Sequence, residues 1–333
     1  MEEKALRLSA VFLMILTAVS FVLLPKLPAL HTWEVEAREE RIAEEEFAQS
    51  QVTMQNLKIK EQNEAAGAKG ELSIRLPEGV TGDQIAVSND YVTQTIRVEI
   101  PQADRTYFDS YPVLGNSDYI DGLSYTRQGE TGVIEVTTNK VYELQTEYDA
   151  QNFYFNFLTP HEVYDKVVVI DAGHGGRAVG ANKQGINEKD IDLAIVLKLK
   201  EIFDNSDQNI GVYYTRTDDS NPTFDQRVQL ANKSDADLFI SIHNNSTRSG
   251  RMSGTSGTQV MYDETSEASR QFAQICLEEV TGRIGSRDKG LVEGDSIYII
   301  RTSEVPVALI EVGFMTNKDE LEKLNSDAYQ RET

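Results

Sequence analysis

The pattern of apolar residues changes at about residue 160, and this change constrains the fold more than any other feature. Before it, short segments alternate apolar and polar residues, as in residues 71–76, 95–100, 132–137 and 152–157. After it, apolar strands alternate with segments of helical periodicity, such as residues 190–203 and 266–284. The first pattern is typical of antiparallel β-domains, and the second is typical of a mostly parallel sheet covered by helices. The chain therefore predicts a small all-β sandwich over residues 67–160 and an α/β domain over residues 161–333.

The N-terminus carries an apolar run at residues 8–24, preceded by Lys4 and Arg7 and followed by acidic residues. These seventeen residues, apolar except for Ser9, Thr17 and Ser20, form a helix of about 26 Å, at the short end of a membrane span. We interpret residues 1–32 as a transmembrane anchor, since no convincing small-residue cleavage site follows; a cleaved signal peptide and secretion are the alternative. The positive charge on its N-terminal side predicts that the remaining chain lies outside the cytoplasm.

Residues 33–66 are rich in glutamate and contain no glycine or proline, which predicts a solvated helical stalk. Val35 and Ile42, and Phe47 and Met54, are spaced by one heptad, so a stalk-mediated dimer is an open alternative. The sandwich that follows shows no catalytic constellation; it is either a binding module or a spacer. The net charge of −22 excludes a nucleic-acid partner, because the chain lacks the cationic surface that displaces counterions.

Four polar residues lie where a parallel sheet places its ligands, beyond the carboxyl ends of the strands. His174 follows the strand at residues 167–170, and His243 ends the strand at residues 238–243. Glu311 interrupts the apolar strand at residues 307–312, and Glu188 begins a helix. Two histidines and one carboxylate are the ligands of a catalytic zinc site, and a second carboxylate can then move the proton of the zinc-activated water.

Three of these residues also have an ordinary structural interpretation. His174 could be a loop histidine after a glycine turn, and Glu188 a carboxylate favoured by the helix dipole. Glu311 could form a buried ion pair with Arg227. The joint placement on one edge of the sheet favours the metal site without excluding these alternatives.

The motifs around these residues resemble those of the zinc-dependent N-acetylmuramoyl-L-alanine amidases of bacterial cell-wall turnover. They are VVIDAGHGG (168–176), EKD (188–190), Thr215 with Arg216, Arg227 with Ala231 and Asn232, FISIHNN (239–245) and IEVGFMTN (310–317). They occur in family order from about residue 166 onward. One departure is Ala172, where the family often has proline. The sandwich is more weakly similar to the wall-binding modules of the AMIN type.

The resemblance implies one Zn²⁺ per catalytic domain, bound by His174, Glu188 and His243, with Glu311 as the catalytic carboxylate. It implies a peptidoglycan substrate, cut at the amide between the N-acetylmuramic acid lactyl group and L-alanine, and an enzyme of the cell envelope. Asn245, Arg227 and Gly175 lie in these motifs and are candidates for substrate contact. Another zinc peptidase or deacetylase, or a wall-binding regulator, is the alternative; the spacing around Gly173 excludes a dinucleotide-binding loop.

Two further expectations concern the C-terminal end of this domain and its regulation. The helix that begins near Asp327 reads as incomplete, so we expect the C-terminal helix to be truncated. The elements predicted between His243 and Glu311 are strands at residues 258–262 and 297–300 and a helix at residues 266–284. They fill this interval and leave no room for an added helix over the metal. We therefore expect residues 161–333 to be active without a protein activator, with control exerted through localisation.

Overall fold

The computed structural model describes residues 27–61 and 69–333. Its helices are α1 (Leu27–Ser50), α2 (Arg105–Ser110), α3 (Pro160–Val163), α4 (Glu188–Asp204), α5 (Phe224–Lys233), α6 (Glu267–Ile284), α7 (Tyr298–Arg301), α8 (Lys318–Leu324) and α9 (Asp327–Glu332). Its strands are β1 (Gln55–Asn56), β2 (Lys60–Glu61), β3 (Leu72–Arg75), β4 (Ala86–Asp90), β5 (Thr95–Pro101), β6 (Leu114–Gly115), β7 (Ile120–Gln128), β8 (Thr131–Thr138), β9 (Glu143–Tyr148), β10 (Asn152–Leu158), β11 (Lys166–Ala172), β12 (Asn182–Lys183), β13 (Ile186–Asn187), β14 (Ile210–Tyr214), β15 (Leu238–Asn245), β16 (Thr258–Tyr262), β17 (Asp288–Glu293) and β18 (Val307–Phe314).

The first ten strands form a sandwich of two five-stranded sheets, ordered β1-β7-β8-β5-β4 and β2-β6-β3-β10-β9. The long neighbouring strands are antiparallel, as the period-two pattern predicted. Alternation turns Ile96 and Val98 of β5 toward Phe153 and Phe155 of β10, and all four belong to one buried cluster. This core is made of aliphatic and aromatic side chains.

The α/β domain contains a six-stranded sheet ordered β14-β11-β15-β18-β16-β17. Strands β14, β11, β15 and β18 are parallel, and β17 is parallel to β16. The prediction of a mostly parallel sheet needs correction, because β16 is antiparallel to β18 and the sheet is mixed. The physical reason is the connection: β15 reaches β16 through a loop without a helix, whereas a parallel crossover requires a dozen or more residues that are usually helical.

Helices cover both faces of this sheet. Helices α4, α6 and α8 bury Ile191, Leu277 and Leu321 against one face. Helices α5 and α7 bury Val228 and Ile300 against the other face. The prediction of a strand at residues 297–300 was wrong, since this segment begins helix α7. A short apolar run has no periodicity that separates a buried strand from a buried helical turn.

The sandwich contacts the face that α5 and α7 cover. Val141 N–H donates to the Lys233 carbonyl at 3.0 Å, and the Val141 side chain is buried in the same cluster as α5 and α7. The Tyr213 hydroxyl of β14 donates to Glu143 Oε1 at 2.6 Å. These contacts lie on the side of the sheet away from α4.

The acidic segment is arranged differently from the predicted stalk. Its helix forms as α1, but α1 lies against the α/β domain instead of standing free in solvent, with Ala43 buried to 2% exposure. Residues further along pair with the sandwich as β1 and β2. A stalk-mediated dimer is not supported, because the buried face of α1 is already in contact with its own chain. The apolar run of the predicted anchor, residues 8–24, lies outside the described residues; none of the helices within 27–61 and 69–333 has the length and apolarity of a membrane span.

Candidate metal centre and active site

Four chain segments bring the predicted site residues to one edge of the six-stranded sheet. Because β11, β15 and β18 are parallel neighbours, their carboxyl ends meet at this edge. His174 follows β11 by two residues, and His243 of β15 stands directly opposite Glu311 of β18 in the strand register. Glu188 is the first residue of α4.

The three predicted metal ligands are in direct contact. Glu188 Oε1 lies 3.0 Å from His174 Nε2 and 3.2 Å from His243 Nδ1. The two imidazole rings are 4.8 Å apart between centroids and nearly perpendicular. Together with Asp192, these residues offer donor atoms that all lie within 4.8 Å of one another. Imidazole nitrogens and carboxylate oxygens at this separation can coordinate a single Zn²⁺.

The charge of Glu188 is fixed by its surroundings. Burial alone would raise its pKa, but the two histidines outweigh burial and hold the pKa of Glu188 well below its usual range. Two backbone N–H groups also donate to this carboxylate, from Ala181 at 2.7 Å and from Asn244 at 3.1 Å. Burial would lower the pKa of His174, whereas Glu188 and Glu39 raise it well above the usual value. The site therefore holds an ionised carboxylate oriented toward the histidines.

Asp192 was missed by the sequence analysis. It lies one helical turn after Glu188, so the spacing of four residues on α4 was the signal that could have identified it. Its Oδ1 accepts a hydrogen bond from Asn244 Nδ2 at 2.7 Å, while its buried Oδ2 has no partner. Burial and then the charge of Glu188 raise the pKa of Asp192 well above the usual range.

Glu311 has an unpartnered carboxylate oxygen. Its Oε2 is buried and makes no hydrogen bond, and burial, aided by the charge of Glu188, raises the pKa of Glu311 to about 8. The alternative of an ion pair between Glu311 and Arg227 is wrong. Arg227 Nη1 instead contacts Asp171 Oδ1 at 2.6 Å, and both side chains are almost fully buried. Glu311 thus keeps one buried carboxylate oxygen without a partner, directly opposite His243 in the strand register.

A cavity of about 580 Å³ opens onto this group. His174, Glu188, His243 and Glu311 line it. Of the three candidates for substrate contact, Asn245 and Arg227 line the cavity and Gly175 does not. Arg227 also donates to the carbonyls of Ala172 and His174 at 2.7 Å each, so its guanidinium holds the turn that carries His174.

Gly173 is required by close packing in this turn. A Cβ atom added there would collide with the imidazole ring of His243, with ring atoms at 2.6 Å and closer. Real Cβ atoms essentially never approach other atoms this closely, so His243 would have to move. Gly173 therefore allows β11 and β15 to bring the two histidines together.

The site combines two histidines and a carboxylate with a second, unpartnered carboxylate at the ligand edge of an α/β sheet. This combination is typical of metal-dependent hydrolases, in which the protein leaves one metal position open to water. The fold and the site are thus those of a hydrolase with a candidate metal centre.

Comparison with known proteins supports a specific family. Residues 168–333 match the family of N-acetylmuramoyl-L-alanine amidases. YqiI of Bacillus subtilis, an uncharacterized protein, is 38% identical over 172 residues, which cover 50% of this chain and 78% of YqiI. The N-acetylmuramoyl-L-alanine amidase CwlM of Bacillus licheniformis is 33% identical over 162 residues, covering 49% of this chain and 62% of CwlM. A solved amidase from Clostridium difficile 630 is 33% identical, covering 50% of this chain and 89% of that chain with a TM-score of 0.47.

The chain belongs to the N-acetylmuramoyl-L-alanine amidase family. Its catalytic domain is therefore an N-acetylmuramoyl-L-alanine amidase, a hydrolase of the amide between the N-acetylmuramic acid lactyl group and L-alanine. The match leaves out the sandwich and α1.

Proposed function

We propose that residues 161–333 cut this amide in peptidoglycan with one zinc ion held by His174, Glu188 and His243, and with Glu311 as the catalytic carboxylate. The observation that carries the proposal is the buried, unpartnered Oε2 of Glu311 at the edge of a cavity lined by the three ligands. A buried carboxyl oxygen without a partner is costly, and a reacting proton would satisfy it.

The residues present fit zinc. Zinc takes imidazole nitrogen and carboxylate oxygen as ligands, and a catalytic site uses three of them. When bound, zinc makes water acidic enough to attack near neutral pH. Asp192 is the fourth residue of the candidate metal-binding group, but its Oδ1 already accepts a hydrogen bond from Asn244. We therefore assign Asp192 a positioning role beside Glu188 on α4 and do not count it as a ligand.

The chain's own residues then have separate tasks. The backbone N–H groups of Ala181 and Asn244 hold the Glu188 carboxylate in place. Arg227 fixes the position of His174 through its carbonyl. In its ionised form, which a bound metal cation nearby would favour, Glu311 accepts a proton from the attacking water and passes it to the nitrogen of the leaving amine, so that L-alanine departs with a free amino group.

For the whole protein we propose a place in the cell envelope, on the extracytoplasmic side, with residues 1–32 as a membrane anchor. We also propose that the AMIN-like sandwich binds the wall. This proposal is supported by the sandwich's own core, separate from that of the catalytic sheet, and by contacts on the face of the sheet away from α4. The purified sandwich should sediment with sacculi; a sandwich that stays in solution is a spacer.

The test of the activity uses the zinc-loaded full chain and its Glu311→Gln variant. We expect digested peptidoglycan to show new L-alanine amino termini by mass spectrometry. A chelator should abolish hydrolysis and added zinc should restore it. Glu311→Gln should lower turnover at least about 10²-fold with zinc retained, because an amide cannot accept the proton.

Glu293→Gln, at the exposed end of β17, is the matched control and should hydrolyse as wild type. If Glu311→Gln loses its zinc, Glu311 is a ligand and the assigned role is wrong. Full hydrolysis by the metal-free chain would overturn the zinc proposal.

A further inference from the structure

Helix α1 forms one wall of the catalytic cavity. Val35, Glu36 and Glu39 of α1 line the cavity together with His174, His243 and Glu311. We propose that α1 is an inhibitory segment, which covers the amidase site with Glu39 at the metal centre and must move away before peptidoglycan enters. The inference rests on the proposed function, since it concerns access to that site.

One contact joins α1 directly to a proposed zinc ligand. Glu39 Oε2 lies 3.2 Å from His174 Nδ1, and both side chains are largely buried by the contact. The Glu39 carboxylate therefore lies in the wall of the cavity, beside an imidazole of the proposed metal site.

Further carboxylates hold α1 across the cavity. Glu36 accepts from the Tyr298 N–H at 2.7 Å, and Glu40 accepts from the Phe224 N–H at 2.7 Å. These donors are the first residues of α7 and α5, whose N–H groups have no partner within their own helix. α1 therefore satisfies backbone groups on the opposite side of the cavity from Glu188.

The C-terminal half of α1 is fixed by Glu46. Its carboxylate accepts from the Arg177 backbone N–H and side-chain Nε, both at 3.0 Å, and from Asn221 Nδ2 at 3.0 Å. Arg177 and Asn221 belong to the loops on either side of the His174 turn. From Glu36 to Glu46 the helix advances about 15 Å, so these contacts hold α1 over about three turns.

The sequence of α1 is arranged for this contact. Glu36, Glu39, Glu40, Ala43 and Glu46 recur at intervals of three and four residues, so they share one face of the helix. Ala43 lies in the middle of this face and is buried to 2% exposure, which lets the helix approach closely. Glu44 is exposed and belongs to another face.

The contact between α1 and the catalytic domain is mostly polar, which favours reversible release. None of the described side chains of α1 belongs to a hydrophobic cluster of the sandwich or of the catalytic domain. Phe47 and Val35 remain 38% and 44% exposed. Polar contacts hold the helix, and such contacts exchange with water at a small net free energy. Its release therefore leaves both hydrophobic cores intact.

This inference revises the expectation that control lies only in localisation. The interval between His243 and Glu311 holds β16, α6, β17 and α7, and the covering helix comes from the N-terminal side instead. The expectation that residues 161–333 are active without an activator stays a prediction, because that segment lacks α1.

The test compares Glu39→Ala and Ala43→Arg with the matched control Glu44→Ala in the zinc-loaded full chain. All three substitutions keep good helix-forming residues, so they change the contact and not the propensity of α1. We measure hydrogen exchange of the amides at residues 36–46, the rate of zinc transfer to a chelator, and hydrolysis of purified sacculi.

Glu39→Ala and Ala43→Arg should exchange faster, lose zinc faster and hydrolyse sacculi at least about tenfold faster than wild type, as expected for the loss of a hydrogen bond to a charged group. Glu44→Ala should match wild type in all three. Unchanged exchange and hydrolysis in both site-facing variants would overturn the proposal. Faster exchange with unchanged hydrolysis would overturn inhibition alone, while faster exchange with no hydrolysis in any protein would overturn the amidase proposal too.

Discussion

The two folded domains bury very different polar side chains. In the sandwich, the buried polar residues among those described are neutral: Ser73, Gln94 and Thr138. In the catalytic domain they include six ionisable residues: Asp171, Glu188, Lys189, Asp192, Arg216 and Arg227. Burying a charge costs free energy unless it is paired and hydrogen-bonded. Among the described residues, this chain therefore buries charged side chains in the domain that carries the candidate active site and not in the sandwich.

Asp171 shows how such a charge is stabilised. It accepts hydrogen bonds from Arg227 Nη1, Thr215 Oγ1 and Ser241 Oγ, all at 2.6 Å. Arg227 in turn holds the carbonyls of Ala172 and His174. The sandwich is held instead by side-chain packing, such as that of Phe153 against Phe155 at 5.1 Å between ring centroids. Polar substitutions should therefore affect the two domains unequally.

The largest effect is expected from Arg227→Met. Removing one partner of a buried pair leaves Asp171 uncompensated, which typically lowers the free energy of unfolding by about 3–5 kcal/mol. The matched control is Arg97→Met in the sandwich, where Arg97 pairs with Glu99 and Glu135 at the half-exposed surface. Exposed pairs contribute about 0–1 kcal/mol.

Urea unfolding of the metal-free chain, with hydrogen exchange to separate the domains, measures both changes. If the two substitutions destabilise their domains equally, the comparison between the domains fails. Asp171→Leu combined with Arg227→Met should recover part of the loss, because it removes both charges.

The next largest effect is expected from acid, which should lower the free energy of unfolding of the catalytic domain more than that of the sandwich. Burial would raise the pKa of Asp171, but Arg227 and two hydroxyl donors outweigh it and lower the pKa to about 2. An unfolded aspartate has a pKa of about 3.9, so this stabilisation is present above that pH and is lost as pH falls toward 2. The loss is about 2–3 kcal/mol.

In the sandwich, the pKa values of Asp104 and Asp149 are also lowered, but both carboxylates lie at the surface, where solvent screens their interactions. Unfolding experiments at pH 4 and pH 2 should therefore show the catalytic domain losing more stability than the sandwich. Equal losses would contradict the assignment of Asp171 as the sensitive group.

The smallest effect is expected from one substitution, threonine to valine, made once in each domain. Thr215 and Thr138 are both buried to 2% exposure. Thr215 donates to the Asp171 carboxylate at 2.6 Å, and Thr138 donates to the Lys140 carbonyl at 2.7 Å. Thr215→Val should cost about 1.5–3 kcal/mol and Thr138→Val about 0.5–1.5 kcal/mol, because hydrogen bonds to charged groups are stronger. Denaturant midpoints of each domain measure this, and a reversed order would contradict it.

The sequence predicted the parts of the structure that depend on periodicity and on strand order. His174, His243 and Glu311 follow or lie in strands that the pattern located, and parallel neighbours bring such residues to one edge. The direction of β16 was not predictable from its own residues, because it depends on a helix-free loop. Residues 297–300 offered an apolar run too short to show a period.

The contacts of α1 could not be predicted from the sequence for another reason. Its glutamates indicate a helix, but the partners Tyr298 and Phe224 are backbone N–H groups more than 180 positions away along the chain. Any residue type supplies such a donor, so no residue pattern marks the partner. The ion pair between Asp171 and Arg227 could not be predicted either, since the two residues are 56 positions apart along the chain.

The space left by Gly173 has a consequence for how chains of this kind are judged from their genes. A natural variant with alanine at this position would keep both histidines and both glutamates, and would be scored as intact by any inventory of ligands. Its added methyl group would nevertheless press on the His243 ring and displace it from Glu188. Searches for degenerate enzymes among such genomes should therefore examine this codon as closely as those of the charged residues.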